Sequence, residues 1–203
     1  MATLPTTSEK INHFKDNIDI SCDQIKTMLD MNGVGLSAFT LTCCLIDAVA
    51  SYTIDEKENN QRYKIFIDRY LAKVNEKYST TAIKRKIYES VRCSLVHSFT
   101  VANGVLLSEL KAQKKLHLST EINNCLVLDL RSFYDEVEAS IKILFKELDK
   151  NVNMQKILKK RYTKYPCFEV YKFLQYPGET ATGKTTTNLR QINLISYGRR
   201  KIY

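Results

Sequence analysis

The sequence lacks the spacings on which most metal and hydrolase chemistries depend. Its six cysteines (Cys22, Cys43, Cys44, Cys93, Cys125 and Cys167) form no C-x-x-C pair, and His13, His97 and His117 lie far apart. No Cys/His cluster has zinc-ligand spacing, so neither a metal nor any other cofactor is expected. No nucleophile elbow is present; catalytic triads assemble in space, so a Ser–His–Asp or Cys–His hydrolase stays open without a motif to support it. The cysteines read as reduced core thiols of a cytoplasmic protein. The first ten residues have neither the basic start nor the apolar block of a secretory signal, and no export is expected. Val34 to Ala50, the most apolar stretch, is slightly short for a membrane span and carries Asp47, which points to a buried helix and no membrane partner.

Acidic residues are scarce at one end only. Residues 1–152 contain 20 Lys/Arg and 20 Asp/Glu, whereas residues 153–203 contain 11 Lys/Arg and 2 Asp/Glu. The whole net charge of +9 therefore sits in the C-terminal quarter. That asymmetry suits contact with a polyanion, RNA first and an acidic protein second.

Helical periodicity dominates the first part of the chain. Ile11, Phe14, Ile18, Cys22, Ile25 and Leu29 form one stripe of a long first helix, opened by a Thr6/Glu9 capping box and stopped at Asn32–Gly33. A nearly all-apolar second helix is predicted over about 36–52 and an amphipathic third over 59–78. A fourth, capped by Ser79 or Thr80, carries Ile83, Ile87, Tyr88, Val91 and Leu95 inward. Residues 104–130 form a non-helical excursion with short β-like pieces, read as a small hairpin. A helix returns over about 132–149 with Ser132 and Asp135 in capping positions, and 156–164 is read as helical. The expected architecture is mainly α: a helical bundle over 1–152, then a basic extension over 153–203 that is irregular or β-containing.

Two motifs carry chemistry. Gly178 to Thr185 matches the phosphate-loop pattern G-x-x-x-x-G-K-[ST], but only 18 residues follow it and none is Asp or Glu. A working loop of this kind needs a following helix, a later acidic residue for magnesium and further strands, so this one reads as a Gly/Thr turn. The second motif is Arg92 with His97, near the end of the fourth helix. Metal-independent RNA cleavage needs a permanent cation for the phosphorane-like transition state and a titratable group to move the 2′-hydroxyl proton, and these residue types fill those roles. On the pair alone, a surface arginine and a helix-terminal histidine is the plainer reading. His13 and His117 are expected on the surface.

Over about residues 8–150 the chain resembles the HEPN superfamily, helical bundles whose signature is Arg, four to six residues, then His. Here that is Arg92-Cys93-Ser94-Leu95-Val96-His97, approached by Ile87-Tyr88 and Val91 and followed later by Phe133-Tyr134-Asp135-Glu136-Val137. The resemblance implies a metal-independent endoribonuclease that works as a homodimer in a toxin, antiviral or RNA-processing setting, with Arg92 and His97 as catalytic residues. A protein antitoxin or regulator is an implied possible partner, and a catalytically silent module that binds RNA, nucleotide or protein is the alternative. The position after the family's arginine is often Asn, Asp or His; here it is Cys93.

Five residues of unbroken α-helix advance about 7.5 Å and turn roughly 500°, which points Arg92 and His97 about 140° apart. Either the helix ends between them, or a two-fold axis gathers both residues from two subunits around one cleft, and the second is the favoured reading. Two arginines would then clamp the scissile phosphate while the histidines act as acid and base.

Overall fold

A computed structural model describes residues 6–31 and 33–165; Asn32, Cys167 and the phosphate-loop look-alike at 178–185 lie outside the described residues. Helix α1, Thr7–Leu29, opens on the expected capping box: Thr6 Oγ1 accepts from the Glu9 N–H at 3.2 Å, and Glu9 Oε2 accepts from the Thr6 N–H at 2.6 Å. Its stripe Ile11, Phe14, Ile18, Cys22 and Ile25 is buried. Gly33, at φ +78°, turns the chain where a side chain would strain the backbone. Helix α2, Gly35–Thr53, is long and apolar enough to cross a membrane by length and composition. In this fold it packs against α1 and the helices that follow, burying Phe39, Cys43, Ile46, Val49 and Ala50.

Helix α3 spans 59–74 and includes a π-helical turn, Ile67–Leu71. It ends short of the expected residue 78 because Asn75 goes extended and its side chain accepts the Lys77 N–H, starting a 3₁₀ turn, Glu76–Ser79. That turn puts Tyr78 into the core. Helix α4 spans 81–98, and its middle, Lys86–Cys93, is π-helical. Thr80 holds the N-cap position, yet its side chain makes no capping bond.

The excursion is not a hairpin. Strands β1, Val105–Ser108, and β2, Leu126–Asp129, pair in parallel, with Val105 opposite Leu126 and Ser108 opposite Asp129. Parallel neighbours need a long crossover, and residues 109–125, with a 3₁₀ turn at Lys111–Leu116, supply it. β2 feeds straight into helix α5, Leu130–Leu148. Asp129 is its N-cap and accepts the Ser132 N–H at 2.9 Å, so Ser132 receives the cap it was expected to provide.

Helix α6, Val152–Lys164, is capped by Asn151 and buries Met154 and Leu158 against α1 and α2. The helical body therefore continues past the residue 152 boundary that charge alone suggested. The fold is mainly α with one two-stranded sheet among the described residues.

Candidate active site

Arg92 leaves α4 toward α2. Its Nε donates to Asp47 Oδ2 at 2.6 Å, with 12% and 17% of the two side chains exposed. The guanidinium also lies over the Tyr88 ring, 5.6 Å from the centroid, and its Nη1 reaches Cys93 Sγ at 3.9 Å. Burial works against the charge on Arg92, but the hydrogen bond and attraction of Asp47 outweigh it and raise its pKa above the ordinary value. Burial pushes the Asp47 carboxyl up, against the pull of Arg92, Arg62 and Asn59. The result is a held, permanently charged cation with part of its surface open.

The π-helical stretch ends at Cys93, so most of the step from Arg92 to His97 is α-helical. His97 is exposed in the last turn of α4, while Arg92 is tied to α2. Beyond His97, Phe99 takes a left-handed conformation at φ +51°, donates its N–H to the Leu95 carbonyl and is 62% exposed. Glycine ordinarily fills that position, and a large apolar side chain there is both strained and solvated. On α2, which packs against the last turn of α4, Leu41 is exposed and Cys44, Asp47 and Ala48 are half-buried.

Arg62 of α3 extends the cluster. Its Nη1 donates to the carbonyls of Glu56 at 2.7 Å and Lys57 at 3.0 Å, and its Nη2 donates to Asn59 Oδ1 at 2.9 Å. Asn59 in turn donates to Asp47 Oδ1 at 3.2 Å. Arg161 of α6 donates to the same Glu56 carbonyl at 3.2 Å. Burial and the nearby Arg161 charge both push the Arg62 pKa down. Asp47 was visible in the sequence only as a charge inside an apolar helix, and nothing in the spacing tied it to Arg92 or Arg62.

His117 is not on the surface. It is buried between the crossover and α5, where its Nδ1 accepts the Asp129 N–H at 3.0 Å. That bond places the proton on Nε2, which donates to Glu136 Oε2 at 2.9 Å. Tyr78 donates to the same oxygen at 2.5 Å and Asn75 to Oε1 at 2.8 Å. Burial raises the Glu136 pKa, but these hydrogen bonds more than compensate and hold it below the usual carboxylate value. His13 is half-buried and bonded to Tyr162 across α1 and α6. Burial pushes the thiols of Cys22 and Cys43 up to about 12, so both stay protonated and inert. Among the described residues, no group of three His, Cys, Asp or Glu side chains could hold a metal ion.

No family model, curated protein or solved structure matches the chain.

Proposed function

We propose that the protein is a metal-independent endoribonuclease of HEPN type, active as a homodimer in which Arg92 and His97 of two subunits share one cleft. The observation that carries this reading is the state of Arg92: a guanidinium fixed by Asp47 and Tyr88 on the helix that ends in an exposed His97. A preorganised cation stabilises developing phosphorane charge without rearranging during the reaction. An exposed histidine at a helix end can approach a phosphate from a second subunit. The 2′-hydroxyl attacks phosphorus, one imidazole takes its proton, another protonates the departing 5′-oxygen, and a 2′,3′-cyclic phosphate remains.

Phe99, two residues past His97, presents exposed apolar surface at that helix end, which suits an isologous contact. A composite site makes specific activity depend on protein concentration. The test is RNA cleavage in chelator across a dilution series, beside sedimentation of the same samples. Cleavage that falls as the dimer dissociates supports the reading, and full cleavage by monomer removes the composite site.

One observation favours a second reading. Asp47 neutralises Arg92 within the chain, and a silent module that binds RNA, nucleotide or protein needs no free cation at that point. No cleavage by a well-folded dimer selects this alternative.

A further inference from the structure

Helix α6 carries Lys156, Lys159, Lys160, Arg161 and Lys164 and no acidic residue. Between it and the 55–58 connection lies an open groove of about 1030 Å³. Lys156, Lys160, Arg161 and Lys164 form one wall, and Asp55, Glu56, Lys57 and Glu58 the other, which is net acidic. Tyr165, 53% exposed, closes one end with Lys164 Nζ 5.1 Å from its ring centre. Hydrogen bonds link the groove's lining to the cluster around Arg92: Arg161 and Arg62 share the Glu56 carbonyl, and Arg62 reaches Asp47 through Asn59. At the inner end of these links the guanidiniums of Arg62 and Arg92 both attract Asp47, and the buried Nε of Arg62 has no hydrogen-bond partner.

We propose that this groove is the track for single-stranded RNA leading to Arg92, with phosphates along α6 and base edges toward the acidic wall. Resting on the endoribonuclease reading, it assigns the substrate's path. The two walls distinguish a nucleic acid from an acidic peptide. Carboxylates accept hydrogen bonds from exocyclic amino groups such as cytosine N4, while lysines neutralise the phosphates along the opposite edge. An acidic peptide has anionic side chains for the lysines but would set the same charges against Asp55, Glu56 and Glu58, with only its backbone N–H groups as donors, whereas a nucleotide keeps its charge on one edge and its amino donors on the other. Tyr165 offers an aromatic face on which a base can stack.

The test uses a fluorescent 2′-O-methyl RNA oligonucleotide, which cannot be cleaved by 2′-hydroxyl attack, so binding is read separately from catalysis. The triple variant Lys156→Glu, Lys160→Glu, Lys164→Glu alters exposed lysines and should melt like the parent. Its affinity should fall at least about 10-fold, and its log K against log[salt] slope should flatten by about 2, as expected for three lost contacts on a single strand. The control Lys146→Glu, Lys150→Glu, on the exposed side of α5 and just beyond it, should bind almost as the full-length parent does. Unchanged affinity and slope in the triple variant, an equal loss in the control, or displacement of the RNA by polyglutamate at matched charge would each overturn the assignment. His97→Ala binding the oligonucleotide normally while no form cleaves natural RNA would sink the nuclease reading and leave the groove standing.

Discussion

Removing Arg92 should destabilise the protein sharply, and removing Arg92 together with Asp47 should not. The pair is largely shielded, and once the guanidinium is gone Asp47 keeps one hydrogen bond, from Asn59, and the attraction of Arg62. Breaking one side of a buried ion pair costs about 3–5 kcal/mol, whereas replacing both sides with apolar groups of similar volume is close to neutral or stabilising. Residual exposure and the Asn59 bond put Arg92→Met near the low end, about 3 kcal/mol, or roughly 6–12 °C in Tm for a chain of this size. Asp47→Leu alone should cost a similar amount, and the double variant should return to within about 1 kcal/mol of the parent. Urea unfolding at neutral pH measures all four corners of the cycle. The Arg92→Met deficit should also shrink on acidification. Burial raises the folded-state pKa of Asp47, so the penalty for its charge is present above that pKa and is relieved as pH falls through it. Single variants within about 0.5 kcal/mol of the parent, or costs that simply add in the double, would refute this account of the pair. The loss of fold stability also means that Arg92→Ala cannot serve as a purely catalytic knockout. Arg92→Lys, which keeps a cation opposite Asp47, is the better probe.

Glu136→Gln should lose about 1–3 kcal/mol by weakening bonds from His117, Tyr78 and Asn75. Since the folded pKa of Glu136 lies below the ordinary 4.5, its stabilisation is complete above that value and lost as pH falls through the folded pKa, so the variant should show a shallower acid limb in a pH series of melts. Thr6→Ala removes the capping box of α1 and should cost about 1 kcal/mol in urea unfolding. Phe99→Gly should stabilise the monomer fold by about 1 kcal/mol, because it relieves a left-handed non-glycine residue with little packing to lose; a lower Tm would show that the ring packs on something. Lys184→Ala should leave RNA affinity and melting unchanged if Gly178 to Thr185 is only a turn, and nucleotide binding lost in that variant by calorimetry would reverse that reading.

Where one face of a helix meets the core, periodicity was enough to place it. The stripes of α1 and α5 and the Thr6 cap stand as the sequence suggests, because burying apolar positions three and four residues apart leaves little choice. The π-helical turns in α3 and α4 carry no spacing signal of their own. Asn75 ended α3 through a side-chain bond that competes with the helix, and the β1–β2 pairing became parallel because residues 109–125 were long enough to cross over. Arg92 and His97 were legible as residue types at a spacing. The partner of Arg92 was not, since Asp47 lies 45 residues away and contact across helices leaves no mark in local sequence. His117 shows the same limit: one histidine just after a lysine-rich turn resembles surface, and only the fold brings Glu136, Tyr78 and the Asp129 N–H around it.

The most direct test is mass analysis of RNA fragments made by the parent protein and by His97→Ala in the presence of chelator. His97 is exposed and holds up no part of the core, so the variant should fold and melt like the parent. The account predicts fragments ending in 2′,3′-cyclic phosphate from the parent and at least about 100-fold slower cleavage by His97→Ala, the scale of a lost general acid–base group. Equal cleavage by both proteins, or parent activity that vanishes on chelation, would contradict it.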